Sequence, residues 1–383
     1  MTLDETEQRD WKRRLVVEAI ERVGKLTGVE VGETVPSDLD LGYRNKVELM
    51  FGREGGRRLL GFHPFGSGGR IVDVERCLMQ GEGGRRVLDS TREFFLHGPG
   101  RSETALDARG DPPRVVIRES RASGKILVAV RSGPGPLPSA VPFASQLMSR
   151  HPEVTGVVRL IASFGRRGGS RTETLRGEPW IEETLAGTPF RLPAATFFQV
   201  NTGAAERLVQ LVMDAVGAPA PNRVLDLYGG VGVFAIALAR GGARATVVEA
   251  DRGAVECGRA AVAAEGIAGV EFVASDVAAY LSALADRQAR GTATGDRVQS
   301  LVPPPPDLVV ADPPRTGLGQ GVADAIAALA PPRIILVSCD APTLGRDLRR
   351  LVDRGYAIRR VVPVDLFPQT ANVEAVAELH RVP

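Results

Sequence analysis

Long hydrophobic runs are missing from this sequence. No apolar stretch in its 383 residues approaches the ~20 that a membrane-spanning helix needs, so no membrane partner is expected. The opening stretch, "MTLDETEQRDWKRR", lacks the apolar centre of a secretory signal, which predicts a cytoplasmic protein. Cysteine is scarce. Three residues, Cys77, Cys257 and Cys339, cannot build a full disulfide framework, and this fits a reducing compartment. Histidines 63, 97, 151 and 380 show no ligand-like spacing, so no metal is expected. Excess charge is lacking too: a net charge of +2 excludes a polybasic, arm-type nucleic-acid binder. The basic residues are nearly all arginine and cluster in "GREGGRRLLGF", "SFGRRGGSR" and "RDLRRLVDRGYAIRR". Such clusters either contact phosphates or form solvated faces, and composition does not choose between the two.

What is present is an ordinary globular composition, 43% hydrophobic and 25% charged, over a length that suggests two or three domains. Residues 10–26 place Leu15, Ala19, Ile20 and Val23 at helical spacing, an amphipathic helix within a helical segment 1–40. From 41 to 190 the pattern becomes short β-branched runs broken by Gly and Pro, which predicts an antiparallel, β-rich domain. Within it "GPGRSETALDARGDPP" reads as an exposed loop. From 191 to 383 apolar strands alternate with alanine-rich helices, the rhythm of a parallel doubly wound sheet. "RQARGTATGDRVQSLVPPPP" interrupts that rhythm as a mobile surface loop.

"VLDLYGGVGVFAIALA" is a strand, a glycine turn and a helix start. Gly230, Gly232 and Ala235 fit G-x-G-x-x-G/A, and Glu249 ends the next strand about 20 residues on. That spacing admits an NAD-dependent oxidoreductase. Asp226, just ahead of the glycines, and Asp312 in "VVADPPR" point elsewhere, towards a class of enzyme that binds S-adenosylmethionine. Glu249 can accept hydrogen bonds from both hydroxyls of a ribose. Cys339 follows the apolar run "RIILVS", so its thiol should emerge at the carboxyl end of a buried strand, where open α/β sheets bind ligands. Cys257 lies mid-helix and reads as packing. Tyr43, Arg44, Asn45 and Lys46 form a polar cluster before a strand, either a turn or a contact for RNA. Phe197 and Phe198 either stack on a base or fill the core.

The motifs "YRNKVELMFG", "FFQVN", "VLDLYGGVG", "VVADPPR", "LVSCDAPTL" and "FPQTANVE" occur in the order seen in the RNA uracil-C5 methyltransferases. From about residue 10 to the end, the chain resembles that family. The resemblance implies an α/β architecture: a C-terminal Rossmann-like class I methyltransferase domain, preceded by a smaller β-rich (α+β) domain that helps hold RNA. It implies S-adenosylmethionine-dependent formation of 5-methyluridine in tRNA or rRNA by a monomeric enzyme. Gln199, Tyr228, Gly230, Gly232, Glu249, Asp276 and Asp312 would line the cofactor site. Cys339 would be the nucleophile, Glu374 the base, and Arg44, Lys46 and Phe197 would contact RNA. Some members carry an iron–sulfur cluster on four cysteines; only Cys77 stands near that pattern here, so no cluster is expected. Val233, Asp340 and Asn372 depart from residues common in the family, which leaves a non-catalytic RNA-binding relative as a further alternative.

The chemistry explains the residue types. Carbon 5 of uracil is a poor nucleophile until a thiolate adds at carbon 6, and cysteine is nucleophilic near neutral pH where serine is not. The carbon-5 proton must then leave before the thiolate is expelled, a task suited to a carboxylate. The target uridine would have to leave its stack to reach the thiol.

Overall fold

The computed structural model describes residues 3–64, 69–103, 106, 113–162, 170–217, 219–294 and 304–383. The arginine-rich stretch 163–169 and much of the two expected loops, 104–105, 107–112 and 295–303, lie outside the described residues. The chain divides into two compact units, one of 1–40, 185–188 and 203–383, the other of 41–184 and 189–202. The N-terminal helix α1 (Glu5–Glu18) thus belongs with the C-terminal half rather than standing as a segment of its own.

The β-rich unit is built on a seven-stranded sheet: β1 (Lys46–Glu54), β2 (Arg57–Phe62), β3 (Val72–Asp73), β4 (Arg114–Glu119), β5 (Ile126–Ser132), β6 (Val154–Ala162) and β7 (Ser170–Gly177), in the order β3-β2-β1-β4-β5-β6-β7. It is not wholly antiparallel. β5 and β6 run parallel because helix α3 (Ala140–Arg150) carries the chain back between them. A further helix, α2 (Glu82–Arg92), escaped the sequence reading because its first turn, "EGGRR", carries two glycines. The core between sheet and helices is aromatic, with Phe95 packed 5.5 Å from Phe51 and 4.7 Å from Phe143. Part of the expected exposed loop is buried: Leu106 joins this core, and the Arg58 guanidinium donates to the carbonyls of Gly100 and Glu103. An arginine and a leucine that find partners inside override the polar composition around them. A hairpin, β8 (Trp180–Leu185) and β9 (Thr188–Pro193), and helix α4 (Thr202–Val216) follow.

The second unit carries the doubly wound sheet: β10 (Arg223–Leu227), α5 (Val233–Arg240), β11 (Arg244–Glu249), α6 (Arg252–Ala264), β12 (Val270–Ala274), α7 (Val277–Thr294), β13 (Leu308–Ala311), α8 (Val322–Ala328), β14 (Arg333–Ser338), α9 (Ala341–Val352), β15 (Tyr356–Val364) and β16 (Glu374–Arg381). Helix α7 runs through Thr294, so the expected loop begins later than Arg287; "RQAR" is made of good helix formers and continues the helix before it. Strand order is β12-β11-β10-β13-β14-β16-β15. A dinucleotide-binding sheet is all parallel in the order 3-2-1-4-5-6. Here the final strand, β16, is inserted antiparallel between β14 and β15.

The N-terminal residues complete this unit. Val31 and Val35 bridge in parallel to Val361 and Val364 on the outer strand. Val16 and Ile20 share a core with Leu344, Leu348 and Val361. The buried face of α1 and the turn after it is Gln8, Lys12, Val16, Ala19 and Ile20; Ala19 and Ile20 are buried as expected, whereas Leu15 is only half-buried and Val23 is 48% exposed. The helix winds into a π turn at Ala19–Val23, which shifts the register of its last residues, and Lys12 is buried because it finds an anionic partner. Among the described residues no helix is long and apolar enough to cross a membrane.

Candidate active site

The first strand ends in a strained turn. Tyr228 adopts φ +59°, a left-handed conformation that costs a non-glycine residue, and Gly230 follows at φ +56°. Gly232, at φ +83°, caps α5; a methyl group there would lie 2.8 Å from the Phe272 ring, so only glycine closes this turn. Two carboxylates shape the turn from below and beside it. Asp226, fully buried, accepts the Ala235 N–H at 3.1 Å, while its other oxygen has no hydrogen-bond partner. Burial pushes its carboxyl up to about 8, the Ala235 N–H opposing and the charges of Asp312 and Glu249 adding to the rise. Glu249, at the end of β11, accepts the N–H groups of Gly230 at 3.0 Å and Asp251 at 2.7 Å, one on each oxygen. Each oxygen keeps a further lone pair for a hydroxyl. Asp276 follows β12 and accepts the Ala279 N–H at 3.0 Å. Space above Gly230 is open: a side chain there would meet no atom within 4 Å. A bare glycine turn, an oriented acid and a half-satisfied buried carboxylate fit an adenosyl cofactor.

Register brings the reactive groups together. Ser338, last residue of β14, pairs with Ala375 of β16 in the final rung between these strands, so Cys339 and Glu374 each stand one residue beyond that rung, close enough for the Glu374 charge to act on the thiol. The antiparallel insertion of β16 makes this possible, since it returns the start of the strand to the carboxyl edge of the sheet. Asp312 follows β13, the neighbour of β14 on its other side, and its amide donates to the Leu227 carbonyl at 3.2 Å. Cys339 is half-buried and Glu374 is 2% exposed.

Burial discourages charge on all three groups, and neighbouring carboxylates add to the effect on Cys339 and Glu374. Burial pushes the Cys339 thiol up to about 11, with the Glu374 and Asp312 charges adding and the Arg315 guanidinium opposing. Burial holds Glu374 well above the usual carboxylate range, again with Asp312 adding and Arg315 opposing, and brings Asp312 up to about 7. Arg315 was not singled out from the sequence, although it is the last letter of "VVADPPR"; its chemical signal was a fixed cation beside a thiol and two acids. Asp340 explains itself: its carboxylate accepts the Thr343 N–H at 2.9 Å and caps helix α9. Asn372 and Cys339 line one cavity of about 300 Å³, closed on a second side by Leu15, Ala19 and Val23.

Loop geometry is fixed from the far side as well. Asp347 of α9, 1% exposed, accepts the Leu318 N–H at 2.7 Å and pairs with Arg346 and Arg350. The turn after "DPPR" is thereby tied to the helix that starts beside Cys339.

Tyr228, Gly230, Gly232, Glu249, Asp276, Asp312, Cys339 and Glu374 all sit at the carboxyl edge of the doubly wound sheet. Gln199, Arg44, Lys46 and Phe197 belong to the β-rich unit. There Asn45 braces the "FFQVN" segment, its amide donating to the Gln199 carbonyl at 2.8 Å and the Thr202 hydroxyl at 2.9 Å. Phe197 is 64% exposed, whereas Phe198 is buried against Phe190. Arg44 is half-buried, and Lys46 pairs with Glu48 at 2.8 Å. Tyr43 is buried, so this cluster is not a simple solvated turn. Cys77 and Cys257 are buried, one in each unit. Among the described residues no three His, Cys, Asp or Glu side chains gather as a metal site.

A sheet of this order with a glycine turn and an acid at the end of the second strand defines a class I methyltransferase fold. Comparison with known proteins makes the assignment specific. A family profile described as tRNA (uracil-5-)-methyltransferase matches residues 179–382. An uncharacterized RNA methyltransferase of Nitratidesulfovibrio vulgaris is 35% identical over 97% of this chain and 78% of its own length. Another, from Gloeobacter violaceus, is 33% identical over 98% of this chain and 78% of its own. The crystal structure of the Pyrococcus abyssi tRNA (uracil-54, C5)-methyltransferase in complex with S-adenosyl-L-homocysteine superposes with a TM-score of 0.71 at 25% identity, covering 98% of this chain and 84% of that one. The chain belongs to the tRNA (uracil-5-)-methyltransferase family and is an RNA methyltransferase. The oxidoreductase alternative is set aside by that membership.

Proposed function

We propose that this protein transfers the methyl group of S-adenosylmethionine to carbon 5 of a uridine in tRNA or rRNA, through a transient bond between Cys339 and carbon 6. The observation that carries this reading is the placement of Cys339 and Glu374 just beyond the last rung of β14 and β16, with Asp312 at the end of neighbouring β13, at the sheet edge that also holds the glycine turn. Between the two RNA classes, tRNA has the support of the family description and of the Pyrococcus abyssi enzyme. Bound along Tyr228, Gly230, Gly232, Glu249 and Asp276, with Gln199 assigned by resemblance, the cofactor supplies an electrophilic methyl group on a sulfonium.

The remaining work falls to the chain. The half-exposed Cys339 thiol gives up its proton to solvent and its sulfur bonds to carbon 6, leaving the electron pair at carbon 5, where the methyl group is received. The Glu374 carboxylate then takes the carbon-5 proton. Electrons of that C–H bond form the carbon 5–carbon 6 double bond, and the C–S pair returns to sulfur. Arg315 is the cation that favours both the thiolate and the carboxylate in a site whose burial opposes them. Arg44, Lys46 and Phe197 are read as RNA contacts; a phenylalanine left 64% exposed on a braced segment suits stacking on a base.

The test is transfer from methyl-labelled cofactor to bulk tRNA and rRNA, followed by nuclease digestion and mass mapping. Wild-type protein should yield labelled 5-methyluridine, and Cys339→Ala none, with cofactor binding retained. Label in another nucleoside, or undiminished transfer by the alanine variant, would overturn the proposal.

A further inference from the structure

Two polar residues on the buried face of the N-terminal helix have no part in the chemistry above. Gln8 is 2% exposed and Lys12 0%, four residues apart and therefore on one face of α1. Both reach the segment 365–372, which leads directly into Glu374. The Lys12 ammonium lies 2.5 Å from an Asp365 carboxylate oxygen and donates to the Phe367 carbonyl at 2.9 Å. Gln8 and Gln369 exchange a reciprocal pair: the Gln369 backbone N–H donates to the Gln8 side-chain oxygen at 3.1 Å, and the Gln8 amide donates to the Gln369 side-chain oxygen at 3.1 Å. Gln369 needs such a hold, because it sits at φ +63°, a left-handed conformation unfavourable for a residue with a side chain.

We propose that Gln8 and Lys12 are positioning residues that set the loop delivering Glu374 against Cys339. The proposal rests on the reading of Glu374 as the base. Burying an ammonium, a carboxylate and two amides costs desolvation that apolar residues would avoid, so the arrangement is better explained by geometry than by stability. The same helix also reaches the nucleophile. Leu15 and Ala19 of its last turns line one cavity with Cys339, Ala371 and Val373. One rigid element therefore bears on both ends of the Cys339–Glu374 pair, and displacing the base by about 1 Å suffices to cost about a hundredfold in rate.

Loss of the tie should affect proton removal and spare the steps before it. RNA with 5-fluorouridine separates the two: adduct formation needs thiol addition and methyl transfer, whereas fluorine cannot leave as a proton does. With this substrate Gln8→Ala should form adduct at the wild-type rate, yet turn over uridine RNA about ten- to a hundredfold more slowly, with KM for the cofactor unchanged. Gln369→Gly should show the same split, at the lower end of that range; it removes the side-chain half of the pair, keeps the backbone N–H that donates to Gln8 and relieves the backbone, so it tests the tie without depending on how well the alanine variant folds. Equal loss of adduct and turnover in both variants would mean a structural role only, and unchanged turnover in both would mean no role. Either result overturns the proposal. A wild-type protein that neither methylates uridine RNA nor traps the fluorinated one would instead overturn the underlying reading of the site.

Discussion

A thiol pushed up to about 11 is almost wholly protonated at neutral pH, so the free enzyme holds Cys339 in reserve. Because kcat/KM reports the ionisations of the free enzyme, it should climb steadily from pH 6 to pH 9 without a plateau. A profile flat above pH 7 would show that the thiol ionises far lower. Glu374 should act later. Glu374→Gln keeps the side chain's size and most of its hydrogen bonding, so it should still add and methylate, then stall as a methyl-labelled protein–RNA adduct on denaturing gels. Its turnover should fall by about 10²–10⁴-fold, the usual contribution of a positioned base. Free labelled RNA at the wild-type rate would make Glu374 only a brace for β16. Asp226 illustrates the stability side of the same burial. Its carboxyl moves from 3.8 to about 8 on folding, so the folded state holds the proton more tightly and stability falls as pH rises from about 4 to about 8. Asp226→Asn keeps the acceptor for Ala235 and removes that penalty. In urea titrations its gain over wild type should be on the order of a few kcal/mol at pH 8 and smaller at pH 5. An equal gain at both values would contradict the buried-acid account.

Elements decide which of these residues could be read from the chain. Cys339, Asp312 and Glu249 were legible because each follows an apolar strand, and strand ends in a parallel sheet share one edge. The placement of Glu374 near Cys339 was legible only through resemblance, since nothing in the apolar pattern of "EAVAELH" declares that strand antiparallel. Gln8 and Lys12 were invisible. A glutamine and a lysine in a helix of mixed polarity read as its solvent face, and the partners that bury them lie at the other end of the sequence. Asp340 was legible as a departure but not as a helix cap. Capping makes a prediction: aspartate and asparagine are comparable at this position, whereas alanine costs about 1 kcal/mol. Asp340→Asn should therefore unfold at the same denaturant concentration as wild type and retain methylation, while Asp340→Ala unfolds earlier. Lost methylation in a stable asparagine variant would give the carboxylate a chemical role beyond the cap.

At the scale of the molecule, the βαβ rhythm declares the doubly wound sheet, and the structure departs from chain order at the N-terminus. Residues 1–40 fold onto the C-terminal unit, bridging its outer strand and lining the cavity beside Cys339. The β-rich unit keeps its own core, its braced "FFQVN" segment and the basic residues Arg44 and Lys46. A net charge of +2 over such a chain leaves RNA affinity to local arginine and lysine contacts. The proposed chemistry turns on one event, the bond between sulfur and carbon 6. The most direct measurement is to trap the enzyme with 5-fluorouridine RNA and methyl-labelled S-adenosylmethionine, digest the adduct, and sequence the peptide that carries the nucleotide. The label should be found on the peptide containing Cys339, attached at that residue. A nucleotide on the Cys257 or Cys77 peptide, or no adduct from an enzyme that methylates uridine, would contradict the account.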